Sequence, residues 1–222
     1  MRVEIWSDLV CPWCYIGTAR FEQALAGFAH RDEVEVVHRS FELDPGRRHT
    51  ESVPSVLAAK YGPRAAGMDD QVAELARGEG LAYRTDREVG STLDAHRLLH
   101  LARERGVQHE VLQRMFEAHF GAARSLFTRD DLVEVAVEAG LDGADVRRVL
   151  DDPDAYLDAV RADEREASRL GANGVPFFVL DGRYGVSGAQ PVELFANALE
   201  TAWADRPVVV ADDVDACRVD GR

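Results

Sequence analysis

Two cysteines three positions apart, Cys11-Pro12-Trp13-Cys14, limit what this chain can fold into more than any other stretch. They can close on one another only if their Cα atoms come within about 4.4–6.8 Å, a separation that one helical turn provides. The flanks place that turn. Val3-Glu4-Ile5-Trp6 alternates as a short strand does, and Phe21, Leu25 and Phe28, with Ala24, recur at helical spacing. The pair therefore belongs at a strand-to-helix junction. Cys11 is the expected N-cap and Pro12 the first helical residue, where a missing N–H costs nothing.

That position has a chemical consequence. The unpaired N–H groups of a first helical turn, together with the helix dipole, favour negative charge at Cys11. A thiolate is the attacking species in thiol–disulfide exchange. Cys11 thus reads as the attacking thiol and Cys14, one turn deeper and less exposed, as the resolving one. Half of a zinc site is the competing reading, but a structural zinc needs four ligands. The one other cysteine, Cys217, stands at the far end of the chain. Of the histidines (His30, His38, His49, His96, His100, His109 and His119), His96 and His100 share a helix face at i, i+4. We read that spacing as a surface or half-buried coincidence. A C-x-x-C in a βα context favours redox chemistry over metal, so no metal is assigned. A purely structural disulfide would gain little from closing so short a loop.

With 222 residues the chain can form one large domain, or one domain carrying a sizeable insertion. No apolar run approaches the roughly 20 residues that span a bilayer. Met1-Arg2-Val3-Glu4-Ile5 passes directly into a strand with no leader-like apolar stretch. With only 3 cysteines, the expected compartment is the cytoplasm, where cysteine pairs tend to be catalytic. A net charge of −14 disfavours nucleic acid and anionic membranes as partners. Cys217, in a polar tail, reads as a free surface cysteine.

After the first helix, Val34 to Phe41 is β-rich, which makes a βαβ unit with a parallel strand pair and a right-handed crossover. Pro45-Gly46 ends it in a turn. From Ser52 to about Leu170 the pattern is helical, apart from an irregular stretch over Gly78 to Gly90. Expected helices include one ending at Tyr61, one over Leu93 to Arg105 stopped by Gly106, and one with the stripe Val111, Leu112, Met115, Phe116 and Phe120. Thr128 caps the next, Val146 to Leu150 makes a short one, and Pro153 opens the last. Strand character returns at Pro176 to Leu180. Asp181-Gly182 is a favoured type I′ turn, and Arg183 to Ser187 is the return strand. Pro191 starts a final helix with Leu194, Phe195, Ala198, Leu199 and Trp203 on its inner side.

The order βαβ, helices, ββα is carried by five stretches: Ser7 to Cys14, Ser40 to Pro45, Asp94 to His100, Gly174 to Phe178 and Ser187 to Pro191. Together they resemble the DsbA family, in its FrnE-like branch grouped with 2-hydroxychromene-2-carboxylate isomerases and kappa-class glutathione transferases. The resemblance spans roughly Val3 to Trp203. It implies an α/β, thioredoxin-like fold with a large all-helical insertion between the βαβ and ββα halves. The thioredoxin-like domain would comprise 1–50 and 171–204, the insertion 51–170, and the C-terminal tail 205–222. It also implies a cis Val175–Pro176 bond lying against the thiols, with the backbone of Val175 free to pair with a substrate chain in strand fashion.

The departures are informative. The isomerases and transferases typically carry serine where Cys11 stands, so two thiols move the expectation to disulfide chemistry. Pro12-Trp13 is not the Pro-His of typical DsbA and is closer to the Pro-aromatic pair of glutaredoxins, so strong oxidising power is not carried over. Ser91-Thr92 replaces the branch's usual Asn-Thr. The expected activity is that of a thiol–disulfide oxidoreductase with Cys11 and Cys14 catalytic and Pro12, Trp13, Val175 and Pro176 binding substrate. Trp13 reads equally as a stacking ring at the rim and as a packing residue under the insertion. No dissociable cofactor is required beyond the redox-active disulfide. Protein or small-molecule thiols and disulfides are the expected partners, glutathione among them as a co-substrate. The alternatives are a glutathione-dependent isomerase or transferase, and a non-catalytic accessory protein. Oligomeric state is left open.

Overall fold

The computed structural model describes residues 1–206; Cys217 lies outside them. In chain order these residues form β1 (Arg2–Ser7), α1 (Pro12–Gly27), β2 (Glu35–Ser40), β3 (Glu51–Ser52), α2 (Val53–Tyr61), α3 (Met68–Gly78), β4 (Glu88–Val89), α4 (Leu93–Glu104), α5 (Gln108–Phe116), α6 (Arg129–Glu138), α7 (Gly143–Asp151), α8 (Leu157–Arg169), β5 (Phe177–Leu180), β6 (Tyr184–Ser187) and α9 (Val192–Ala204). The main sheet has the order β2-β1-β5-β6. The β1–β2 pair is parallel, as a βαβ unit requires, β5 adds antiparallel to β1, and β6 adds antiparallel to β5. Asp181 and Gly182 turn the β5–β6 hairpin with φ of 53° and 67°, the left-handed pair that a type I′ turn demands.

Both faces of this sheet are covered, which explains the continuous apolar run Phe177-Phe178-Val179-Leu180. Val3, Ile5, Phe178 and Leu180 face α1 and α9, where Phe21, Phe195 and Leu199 complete one core. Trp6, Phe177 and Val179 face the other way, against Ala167 of α8. The Trp6 indole N–H donates to the Asp163 carbonyl oxygen at 2.8 Å, so the ring is buried with its polar atom satisfied. β2 is an edge strand, and its free edge is closed by a side chain. The amide of Gln108 accepts from the His38 N–H at 3.1 Å and donates to the His38 carbonyl at 2.8 Å. That is how a neighbouring strand would pair with it.

The helices between β2 and β5 bury a separate core that includes Leu98, Leu101, Leu112, Phe116 and Phe120. It runs without a break into Leu9, Cys14 and Ile16 at the start of α1. Arg97 of the Asp94 to His100 stretch is fully covered. Its guanidinium donates to Asp94 at 2.6 Å and to the Ala155 carbonyl at 2.7 Å, and also meets the carbonyls of Val149 and Asp152. This fork holds α4 against the α7–α8 turn.

Four expectations change. The insertion is not all-helical, because β3 and β4 form a two-residue antiparallel ladder across the foot of the α2–α3 hairpin, within a stretch whose sequence has no strand period. α8 begins at Leu157 and not at Pro153, because Tyr156 adopts φ 59° and restarts the helix after the proline turn. Leu194 is 40% exposed, since the i, i+4 stripe Phe195–Leu199 turns it outward. His96 and His100 are buried, not surface residues, because α4 is enclosed by the sheet's end on one side and the other helices on the other.

Candidate active site

β1 ends at Ser7, and the chain turns through Asp8-Leu9-Val10 into α1. The Cys11 N–H donates to the Asp8 carbonyl at 3.1 Å, and the Cys14 N–H donates back to the Cys11 carbonyl at 3.0 Å. Cys11 is the N-cap residue, with φ −86° and ψ 112°, and Pro12 follows at the first helical position. The Cys11 thiol makes no capping bond to the helix. It donates instead to the Val175 carbonyl oxygen at 3.6 Å. Both cysteines are free thiols. Cys11 is 3% exposed and Cys14 fully buried, so even the outer thiol is nearly covered.

Their environments separate the two thiols. Burial pushes the Cys14 thiol well above the ordinary cysteine range, and its hydrogen bond with Cys11 and the charge there add to this; the Asp8 N–H, which donates to the Cys14 sulfur at 3.4 Å, works the other way. Cys14 is therefore held as a thiol.

The Val175–Pro176 bond is cis and lies against the thiols, as the resemblance implied. Its loop is anchored from behind. The Gly188 N–H donates to the Pro176 carbonyl at 2.8 Å, with Gly188 at φ 83°. Arg20 of α1 donates to the Ala189 carbonyl and to Glu79, the residue that ends α3, both at 2.7 Å. Thus the Ser187 to Pro191 stretch serves as a buttress for the proline loop. Gly17 lets α1 approach it. A Cβ there would stand 2.8 Å from Pro176 Cγ and 3.2 Å from Ala189. Gly17→Ala should then cost about 1–3 kcal/mol of stability, the usual penalty of overpacking. A denaturant midpoint measures this, and an unchanged midpoint would contradict the close approach.

Pro12 and Trp13 sit on the open side of the thiols. Trp13 is 42% exposed, which favours the rim over packing under the insertion. Beside it a groove of about 430 Å³ runs from Cys11 along Leu43, Val56, Leu57, Tyr61 and Val72, with Lys60 and Arg87 among its polar walls. A second cavity of about 450 Å³ lies between α1 and β2, lined by Phe21, Leu25, Val36 and His38, and the thiols are not part of it. Among the described residues no group of three or more His, Cys, Asp or Glu side chains is placed to hold a metal ion.

Two further buried polar pairings hold the elements around the site. Asp8 and His96 meet behind Cys14, with His96 Nε2 3.6 Å from Asp8 Oδ1. Asp163 ties α8 to β2: it accepts from the Ser40 N–H at 3.0 Å, from Arg39 at 3.0 Å, and faces His100 Nε2 at 3.2 Å. Burial alone would raise its carboxyl, but these hydrogen bonds and charges outweigh it and hold Asp163 below the usual carboxylate range. No short spacing in the sequence announces either pairing.

A dithiol at a strand-to-helix junction, faced by a cis-proline loop at the end of a four-stranded mixed sheet, defines a thioredoxin-fold dithiol protein. The chain belongs to the family described as the DSBA-like thioredoxin domain, whose model matches residues 2–200. It is 58% identical to a probable DsbA oxidoreductase from Streptomyces coelicolor, with a TM-score of 0.90 over 100% of this chain and 97% of that one. It is 20% identical to the cytosolic disulfide reductase DsbM from Pseudomonas aeruginosa, solved with glutathione, at a TM-score of 0.66 over 92% and 100% of the two chains. A 2-hydroxychromene-2-carboxylate isomerase shares 14% identity at a TM-score of 0.69, over 90% and 95%. The last two share the fold.

Proposed function

We propose that this DsbA-like oxidoreductase carries out thiol–disulfide exchange through Cys11 and Cys14, with Cys11 attacking and Cys14 resolving. In the reductive direction the Cys11 thiolate attacks R–S–S–R′, forms Cys11–S–S–R and releases R′–S⁻. Cys14 then attacks the Cys11 sulfur, forms the Cys11–Cys14 disulfide and releases R–S⁻. The reverse sequence oxidises a dithiol. The observation that carries this reading is the asymmetry of the pair: Cys11 at a helix start under the Val175 carbonyl, Cys14 buried and held protonated. Pro12, Trp13, Val175 and Pro176 are the groups we assign to substrate binding, the Val175 backbone pairing with an extended segment.

Glutathione is a fitting thiol partner, because a relative of the same fold, DsbM, was solved with it. No cofactor is needed by this chemistry. Among the described residues no helix is long and apolar enough to cross a membrane, and we place the reaction in the cytoplasm. We treat residues 51–170 as an insertion that walls the groove of a thioredoxin-like unit made of 1–50 and 171–204. The isomerase reading has a relative in its favour, but a pair of thiols has no use in it.

Alkylation order tests the roles. Reduced protein treated with iodoacetamide at pH 7 should label Cys11 at least about tenfold faster than Cys14, because the thiolate is the reactive form and Cys14 is held as the thiol. Peptide mapping at short times reads the order. Labelling of Cys14 first would reverse the assignment.

A further inference from the structure

The cavity between α1 and β2 has no part in the exchange reaction. It opens beside the second half of α1, whose first lining residue, Phe21, stands ten positions after Cys11, about 15 Å along the helix. Its volume of about 450 Å³ is that of a small-molecule pocket. The walls are apolar: Ile5 and Val36 come from the sheet, Phe21 and Leu25 from α1, and Val34 from the turn before β2.

One buried polar side chain stands in these walls. His38 of β2 is 4% exposed, and neither of its ring nitrogens has a hydrogen-bond partner. It lies on the same face of the strand as Val34 and Val36, the face turned to α1. The fold does not call for an imidazole there. The backbone of His38 is already held by Gln108, and a leucine would bury the same surface without polar atoms. Buried donors and acceptors are nearly always paired, and leaving one unpaired is costly. A few polar groups in an apolar pocket are what fix a ligand's orientation.

The surrounding charges narrow the ligand. Burial, reinforced by His109, keeps the His38 ring neutral, so it offers one donor and one acceptor. The carboxylates at the rim already have partners. Glu22 faces His109 at 3.7 Å and accepts from Gln113, and Asp32 faces Arg31 at 3.6 Å. An ion entering this pocket would lose its water without gaining a free counter-charge. We propose that the cavity is a second ligand site, separate from the thiols, for an uncharged molecule with an apolar body and one hydroxyl group. The hydroxyl bonds the His38 ring, and the body lies against Phe21, Leu25 and Val36. The site does not depend on the roles assigned to Cys11 and Cys14.

Titration of the ¹⁵N-labelled full chain with 4-methylphenol, followed by two-dimensional NMR, tests this. The amides of Leu25, Val36 and His38 should shift saturably, with a Kd of about 1 mM or below. Those of Val56, Leu57 and Val72, in the groove beside Cys11, should stay in place. Toluene has the same shape without the hydroxyl and should bind about tenfold more weakly, the worth of one hydrogen bond to a buried group. The charged probes 4-methylbenzoate and 4-methylbenzylamine should bind more weakly than 4-methylphenol. His38→Leu should bind toluene as the wild type does and lose the tenfold preference for 4-methylphenol. Leu25→Trp fills the cavity from α1 with His38 in place and should abolish the shifts, which keeps the test decisive if His38→Leu does not fold. Shifts that are absent, confined to the groove or retained in Leu25→Trp would overturn the proposal. So would equal binding of 4-methylphenol and toluene, which marks a void open to any apolar molecule. Tighter binding of either charged probe, or an unchanged preference in His38→Leu, would overturn it too.

Discussion

Cys14→Ser accumulates protein with one substrate thiol disulfide-bonded to Cys11, while Cys11→Ser forms no adduct at all. This is the largest effect we expect. A hydroxyl cannot replace a thiolate as nucleophile, so Cys11→Ser should lose exchange by a factor of about 10³ or more. Cys14→Ser keeps the attacking group, its place at the helix start and the Val175 contact. It lacks the thiol that expels the bound product. Incubated with oxidised glutathione or a disulfide-containing protein, it should gain a mass that dithiothreitol removes. The isomerase reading expects the opposite pattern, with Cys14 dispensable for turnover and serine tolerated at Cys11. An accessory protein expects no adduct in any variant. If Cys14→Ser traps nothing and the wild type exchanges nothing, the oxidoreductase roles are wrong.

Stability should fall steeply between pH 6.5 and 4.5, for a reason other than the thiols. Burial, reinforced by the charge of His109, pushes the His38 imidazole down to about 3. Burial, with the Arg87 guanidinium beside it, does the same to His119, also to about 3. In the unfolded chain each takes a proton near pH 6.5. Below that pH the unfolded state binds more protons than the fold, so stability drops as pH falls. It is fully present above about pH 6.5 and lost progressively down towards pH 3. Each histidine costs about 1.4 kcal/mol per pH unit, so the two remove about 5 kcal/mol by pH 4.5, a large share of the roughly 5–15 kcal/mol that holds a typical domain. Glu22 and Glu42, raised by burial, take up protons earlier in the fold and offset part of this loss. Denaturant midpoints across this range measure the slope, and His38→Phe should remove about half of the histidine contribution. A midpoint that does not move between pH 6.5 and 4.5 would refute the account.

The helix-start thiol pair was legible in the sequence because everything that places it is local. A proline at the first helical position, an alternating strand before it and a helical stripe after it are decided within about a dozen residues. The same holds for the Asp181-Gly182 turn, whose left-handed backbone only a few residue types accept, and for the glycine stop at Gly106, with φ 73°. Where local signals were weak or conflicting, the reading failed. The β3–β4 ladder has two residues per strand and no period to detect. Pro153 looked like a helix start, but a left-handed Tyr156 set the start of α8 four residues later.

What the sequence alone determined is the chemistry on offer: a vicinal dithiol, capped by a helix, in a chain whose motif order matches one family. What only the tertiary structure decided is the environment of those thiols, since beyond Asp8 and the pair itself the groups around them arrive from elsewhere. The Val175 carbonyl that meets Cys11 comes from 164 positions along the chain. His96, whose spacing alone reads as a surface or half-buried coincidence, is brought by α4 to face Asp8. Spacing along a helix shows which residues share a face, but not whether that face meets water or a buried carboxylate. Desolvation, which holds Cys14 as a thiol and His38 as a neutral base, depends on how many atoms surround a group, and that number exists only once the chain has folded.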